Sequence, residues 1–267
     1  MKLLVFSDPH LVEPDQRIIG LNPSQRFSQA LDHALKNHPD AAHMVILGDL
    51  THHGRDAQYL ALQRCLDAVN IPLSLMLGNH DDRSAFLKAF PDTPLTPSGH
   101  VQHVVQLGHH RLICLDTLDA EATPKHSGLL CEARMGWLRD ALEAAKGAPV
   151  TLALHHPPFV TGLDGMDAIR LRNAQELQAL IAEFPNVVQL LCGHVHRNIS
   201  GGLCGTSFAT FKSTCHQSPL TLGLQGSDHS IDEPAGYGIV LFTKDRVIVH
   251  TDDLGGRGAP TVDGHSA

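Results

Sequence analysis

Five short polar blocks hold most of the residues in this chain that could do chemistry. They are Asp8-Pro9-His10, Gly48-Asp49, Gly78-Asn79-His80-Asp81, His155-His156-Pro157-Pro158 and Gly193-His194-Val195-His196. Each follows a short apolar run, and such a run closed by turn residues reads as a buried strand. In α/β sheets, sites form beyond the carboxyl ends of strands. Asp8, His10, Asp49, Asn79, His155, His194 and His196 are therefore expected to converge. Carboxylate, amide oxygen and imidazole suit Mn, Fe, Zn or Co. Seven such groups are too many for one ion with open positions and fit two ions sharing a bridging carboxylate. Such a pair, about 3.5–4 Å apart, clamps a phosphoryl oxygen and yields hydroxide at neutral pH. In extended backbone, D-x-H and H-x-H spacings point both side chains the same way.

Taken singly, each block has a plainer reading. A lone D-x-H after a strand is a polar turn, and Asp49 and Asn79 after glycine are ordinary turn residues. His155 and His156 compete for one ligand position. His52, His53, His109 and His110 read as surface-loop residues, with one of the pair after Asp49 placed to line a pocket. Arg55, Arg83, Arg170 and Arg172 are candidate anion contacts whose plainer reading is a solvated helix face. Cys192, on an apolar run, reads as a buried thiol.

The elements that must position these blocks follow from hydrophobic period. Lys2–Ser7, Met44–Leu47 and Leu73–Leu77 read as strands. Between them, Phe27, Leu31, Ala34 and Leu35 share a helical face behind an Asn22-Pro23 cap, and Tyr59, Leu62, Leu66 and Val69 mark a second helix. Strand–helix–strand alternation predicts a largely parallel sheet. Val101–Leu107 and Arg111–Leu115 predict a hairpin. Helices are expected over Glu132–Ala145 and Ala174–Glu183, and strands over Val150–Leu154, Val187–Cys192, Tyr237–Phe242 and Arg246–Thr251. The fold class is α/β.

The 267 residues carry 20 Lys and Arg against 28 Asp and Glu, a net charge of −8, which argues against a dedicated nucleic-acid partner. No apolar stretch approaches the roughly 20 residues of a membrane span, and the N-terminal run reads as a strand, not an export signal. Six cysteines without a C-x-x-C pair read as free thiols in the cytoplasm. The 20 histidines outnumber the 12 aromatics and raise the prior for a metalloenzyme.

The five blocks, in this order and spanning about three-quarters of the chain, resemble the calcineurin-like metallophosphoesterase superfamily. The similar branch contains class III cyclic-nucleotide phosphodiesterases and bacterial glycerophosphodiesterases. The resemblance implies a four-layer αββα sandwich of two mixed sheets with flanking helices. It assigns Asp8, His10 and His196 to one metal, Asn79, His155 and His194 to another, and Asp49 to the bridge. His155 is favoured over His156 because the family pattern places the ligand first. A metal-activated hydroxide would attack phosphorus. His80 would protonate the leaving alkoxide or position the substrate, Asp81 would orient His80 or an outer ligand, and His216 would be a further substrate contact. The implied substrate is a small phosphodiester, 3′,5′-cyclic nucleotides first. Glycerophosphodiesterase, or a broad-specificity phosphodiesterase and phosphonate monoesterase, is the alternative, and a non-catalytic binding module a third reading. Substrate choice would lie in loops Glu13–Leu21, Ala120–Leu130 and Val160–Arg172. The expected organisation is a dimetal core over 1–200, a β-rich extension over 201–254 that would offer a contact for a homodimer or higher homo-oligomer, and a loose tail over 255–267.

Overall fold

A computed structural model describes residues 1–223, 226 and 229–255. Apart from Gly255, the tail expected over 255–267 lies outside the described residues. Strand β1 (Lys2–Phe6), helix α1 (Pro23–Asn37), strand β2 (His43–Ile46), helix α2 (Asp56–Leu66) and strand β3 (Leu73–Leu75) give the predicted alternation, with β1, β2 and β3 parallel. The Asn22 Oδ1 accepts from Gln25 N–H at 3.2 Å, the cap read from the sequence. Helix α2 ends at Leu66, so Val69 packs from the loop beyond it. Helix α3 (Arg83–Ala89), absent from the sequence reading, is short and is capped by Asp82 accepting from Ala85 N–H.

The hairpin β4 (His103–Leu107) and β5 (His110–Leu115) turns through Gly108-His109, so His110 belongs to a strand. It is buried, with Nε2–H donating to the Thr243 carbonyl at 2.9 Å, and is not the surface-loop residue expected. Helix α4 (Glu132–Ala144) leads to β6 (Val150–Leu154), and the short α5 (Asp164–Asp167) and α6 (Ala174–Glu183) lead to β7 (Val187–Cys192). The hairpin β8 (Ile199–Leu203) and β9 (Thr206–Thr210) completes one sheet, and β10 (Gly236–Phe242) with β11 (Val247–Asp253) returns to the other.

The two sheets are mixed, in the orders β11-β10-β1-β2-β3 and β4-β5-β6-β7-β9-β8. The layering follows from side-chain alternation along each strand. In β1, Leu4 and Phe6 pack under α1 and α2 with Phe27, Leu31 and Tyr59. Leu3 and Val5 point the other way, against Leu112, Cys114, Ala153 and Leu191 of the second sheet. On the far side, Ile113, Leu152 and Leu190 pack under α4 and α6 with Leu138, Leu142 and Leu177. Central strands covered on both faces are largely apolar, which is why the runs before the polar blocks are interrupted only by Ser74, Thr151 and Gln189, all buried. Each fully buried Leu or Phe in these layers contributes roughly 1.5–3 kcal/mol. The segment after residue 200 supplies strands to both sheets.

Candidate metal centre

The polar blocks meet at one edge of the sandwich, and they come from both sheets. Asp8, Asp49 and Asn79 follow β1, β2 and β3, while His155, His194 and His196 follow β6 and β7. The turns that carry them are not extended, as the D-x-H and H-x-H alternation had suggested. Asp8, His10, Asp49, His194 and His196 all have left-handed backbone, with φ of 51°, 47°, 49°, 72° and 49°. Such residues cost about 1–3 kcal/mol each and persist where the surroundings over-determine them. Here the surroundings are hydrogen bonds between the blocks. Asp8 N–H donates to the Gly48 carbonyl at 3.2 Å, His10 N–H to the Asp49 carbonyl at 2.9 Å, and His194 N–H to both Asp8 carboxylate oxygens at 3.2 Å. Glycine permits the close approach: a Cβ on Gly78 would stand 2.2 Å from Asp49 Oδ1, and one on Gly193 2.6 Å from Ser7 Oγ.

Two groups of donor atoms result. In the first, His10 Nε2 lies 3.1 Å from His196 Nε2 and 3.5 Å from Asp49 Oδ2, and His196 Nε2 lies 3.4 Å from Asp8 Oδ1. In the second, His155 Nε2 lies 3.4 Å from the same Asp49 Oδ2 and 3.2 Å from Asn79 Oδ1, with the His194 ring centroid 5.1 Å from that of His155. Ligands held about 2.1 Å from one ion at tetrahedral to octahedral angles stand about 3.0–3.4 Å apart. The donor distances among Asp8, His10, Asp49 and His196, and among Asp49, Asn79 and His155, lie at or close to this spacing, and Asp49 Oδ2 belongs to both groups. Two observations add to the fit: the four donors of Asp8, His10, Asp49 and His196 lie within 4.8 Å of one another, and His194 Nε2 is buried without a hydrogen-bond partner.

Backbone carbonyls set the tautomers. His155 Nδ1–H donates to Leu47 O at 2.8 Å and His196 Nδ1–H to His216 O at 2.9 Å, leaving each Nε2 turned to the cluster. The rings of His155 and His156 differ in what they bond. His156 Nδ1 bonds the Thr117 hydroxyl at 2.7 Å and its Nε2–H donates to His126 O at 3.1 Å, so both its ring nitrogens have partners, with one of them within 4.8 Å of donor atoms of His155 and His194.

His80 N–H donates to Asp49 Oδ1 at 2.8 Å and His80 Nδ1–H to His52 O at 2.9 Å. Asp81 does not orient His80. Its carboxylate accepts from the backbone N–H groups of Leu50, Thr51 and Gly78 and from the hydroxyls of Thr51 and Tyr59, all at 3.0–3.1 Å. It thus staples the turn after β2 to the turn after β3. His216 is buried, its ring 4.6 Å from His196, with Nδ1 lacking a partner.

Charge in the cluster is arranged around the buried carboxylates. Burial opposes ionisation of Asp49, but the His155 and His80 imidazoles beside it hold its carboxyl well below the usual range. Burial would lower His155, but Asp49, the hydrogen bond to it, Asp8 and the Leu47 carbonyl bring it up to about 9. His196 is likewise raised against burial by Asp8 and Asp49. Burial and neighbouring imidazoles keep His194 well below its ordinary value and push His216 down to about 2. Two carboxylates hold protons on neighbouring imidazoles at positions that suit cations.

The cluster opens into a cavity of about 360 Å³. His10, Asp49, Asn79, His80, His194, His196 and His216 line it, with Ile18, His52, His126, Met166, Ile169, Ser218, His229 and Ser230. Ile18, His126 and the Met166–Ile169 pair come from the three loops named in the sequence, although none of these four residues was singled out there. His52, of the pair after Asp49 from which one was expected to line a pocket, is half-buried at the cavity. The four arginines considered for anion binding are engaged elsewhere. Arg83 forks onto Asp116 at 2.9 and 3.0 Å, Arg172 pairs with Asp119, Arg55 with Glu13 at 3.2 Å, and Arg170 donates to Asp167 O at 2.8 Å. Cys192 is fully buried, and burial pushes its thiol up.

Comparison with known proteins fits this geometry. The chain is 41% identical over 251 residues to a probable cyclic nucleotide phosphodiesterase of Rhodopseudomonas palustris, covering 94% of this chain and 91% of that protein. It is 30% identical over 227 residues to the glycerophosphodiester phosphodiesterase GpdQ of Enterobacter lignolyticus, covering 82% and 79%. Its fold matches a dimetal phosphatase of Danio rerio with a TM-score of 0.72 at 15% identity, covering 95% and 96%. The description of the calcineurin-like phosphoesterase family matches residues 1–198. That family implies a dinuclear metal centre, and the donor set around Asp49 fits one. With three-quarters of its length matched and a relative this similar along nearly all of it, the chain belongs to the calcineurin-like phosphoesterase family.

Proposed function

We propose that the chain hydrolyses phosphodiesters at a dinuclear centre, with 3′,5′-cyclic nucleotides as its first substrates. The observation that carries this reading is Asp49 Oδ2, shared by two groups of donor atoms at the floor of one cavity. Asp8, His10 and His196 would hold one ion, Asn79, His155 and His194 the other, and Asp49 would bridge them. When bound, two such ions, drawn from Mn, Fe, Zn and Co, supply Lewis acidity to the phosphoryl oxygens and a hydroxide nucleophile at neutral pH. The remaining work falls to the chain. His80, with Nδ1–H committed to the His52 carbonyl, would in its doubly protonated form have an Nε2–H to give to the departing alkoxide or to hold a phosphoryl oxygen. His216, depressed by burial, would meet the substrate as a neutral imidazole.

Two features bear on the alcohol parts of the substrate. Half-buried Ile18, Met166 and Ile169 make an apolar wall in an otherwise polar cavity, which suits a nucleobase. Ser218 and Ser230 line the same cavity and suit the hydroxyls of a glycerol moiety, which favours glycerophosphodiesters as the second reading. The names of the two bacterial relatives supply the same two substrate classes. Among the described residues no helix is long and apolar enough to cross a membrane, and the six cysteines are free. The free thiols support a cytoplasmic setting. The β8 and β11 edges flank one groove and would supply a homodimer contact.

The test is one assay series on metal-analysed protein reconstituted with manganese, comparing cyclic AMP, glycerophosphocholine, a chromogenic diester and a chromogenic monoester by kcat/KM. Preference for cyclic AMP supports the proposal. Preference for glycerophosphocholine moves the second reading forward. No turnover with two ions bound leaves the non-catalytic module.

A further inference from the structure

Three imidazoles form a column across the mouth of the centre. The His80 ring stacks on His52, with centroids 5.1 Å apart and planes at 15°, and on His126, at 5.0 Å and 21°. Each end of the column reaches a different candidate ligand. His52 Nδ1 lies 3.2 Å from His10 Nδ1, and His126 Nδ1 lies 3.0 Å from Asn79 Nδ2.

Both contacts decide which atom the ligand offers. An amide nitrogen only donates, so His126 Nδ1 accepts, and Asn79 is held with Oδ1 turned inward, 3.2 Å from His155 Nε2. The reversed amide would aim N–H groups at the ion, with no lone pair to give. His10 has the corresponding need. To present a lone pair at Nε2 it must carry its proton on Nδ1 and find an acceptor there. His155 and His196 use backbone carbonyls for this, whereas His10 has the side chain of His52. The column is itself fixed through the backbone. The His52 carbonyl accepts from His80, and the His126 carbonyl, on a residue with φ of 70°, accepts from His156.

We propose that His52 and His126 are positioning residues, one for each ion: His52 fixes the tautomer of His10 and His126 fixes the amide orientation of Asn79, with His80 stacked between them. This rests on the ligand assignment proposed above. It predicts that the two ions can be weakened separately from opposite ends of one stack.

The experiment is a two-step manganese titration of the metal-free full chain by calorimetry, with the spin-coupled manganese pair followed by electron paramagnetic resonance. His52→Ala and His126→Ala should each lower the affinity of one step by about 10–100-fold, the range for lost partners of metal ligands. In double-mutant cycles, the His52→Ala effect should vanish in a His10→Ala background, and the His126→Ala effect in an Asn79→Ala background. His52→Asn and His126→Asn keep an acceptor near Nδ1 and should restore binding, whereas phenylalanine, which keeps the stack alone, should not. Restoration by phenylalanine, additive cycles, or wild-type affinity in both alanine variants overturns the proposal. If His10→Ala and Asn79→Ala themselves leave manganese affinity unchanged, the ligand assignment is what fails.

Discussion

Metal loading should be strongly pH-dependent, and His155 sets the size of the effect. Burial works against its protonation, yet Asp49, Asp8 and the Leu47 carbonyl hold its pKa at about 9 in the metal-free chain. Its Nε2 lies 3.4 Å from Asp49 Oδ2 and would be a ligand atom, so an ion must displace that proton. At pH 7 the displacement spans about two pH units, or roughly a hundredfold in Kd. The affinity of the site containing His155 should therefore rise about tenfold per pH unit from 7 to 9 and then level. The stability of the metal-free chain should move the opposite way. A pKa raised on folding stabilises fully below the unfolded value, near 6.5, and the contribution is lost as pH rises through about 9. Asp49→Asn removes the leading charge behind the shift and should flatten both profiles. The assay is calorimetric manganese titration at half-unit steps from pH 6.5 to 9.5, in two buffers of different ionisation enthalpy to count released protons, with thermal melts of the metal-free chain alongside. Proton release of zero between pH 7 and 8.5, or affinity that does not change with pH, would refute the reasoning.

Other outcomes follow from the same geometry. Asp49→Ala should abolish dinuclear loading and turnover, and full activity with normal metal content would overturn the bridging assignment. His80→Ala should slow diester cleavage by about 10²–10⁴-fold with metal content near normal; lost metal would instead place His80 among the ligands. Asp81→Ala leaves the N–H groups of Leu50, Thr51 and Gly78 without their carboxylate and should cost about 3 kcal/mol in denaturant unfolding. An unchanged midpoint would show that the staple is dispensable. Gly78→Ala should lose metal, because its Cβ would meet Asp49 Oδ1 at 2.2 Å; normal loading would mean that the two turns can part.

How much of this was legible in the sequence depended on the range of the interaction concerned. The strands before each block were readable because a central strand between helices and a second sheet is largely apolar on both faces, as β1, β6 and β7 are apart from Lys2, Thr151 and Gln189. Their carboxyl ends then had to gather the ligand types. What a single strand end does locally was read wrongly: alternation suggested extended backbone at Asp8 and His10, whereas both are left-handed. Side-chain spacing along a chain reports the periodicity of regular structure, and these turns are held in place by partners such as Gly48 and Asp49 from the neighbouring strand. The same limit hid Asp81, which looks like a partner for adjacent His80 and instead reaches back to Leu50 and Thr51.

His126 shows the limit most clearly. It stands alone in a loop, belongs to none of the polar blocks, and earned no notice by type or spacing. Its importance comes from meeting Asn79 through one ring nitrogen and His156 through its carbonyl. No local signal encodes either contact, because both depend on where the loop after β5 comes to rest, against the turn after β3 of the first sheet and the turn after β6 of the second. A ligand can be recognised by its own chemistry, but the residue that orients a ligand is defined by contact alone. Searches for such residues should therefore begin from donor and acceptor balance at each ligand. Here that means asking what holds the Asn79 amide and the His10 proton, since both answers, His126 and His52, lie at the ends of one imidazole stack.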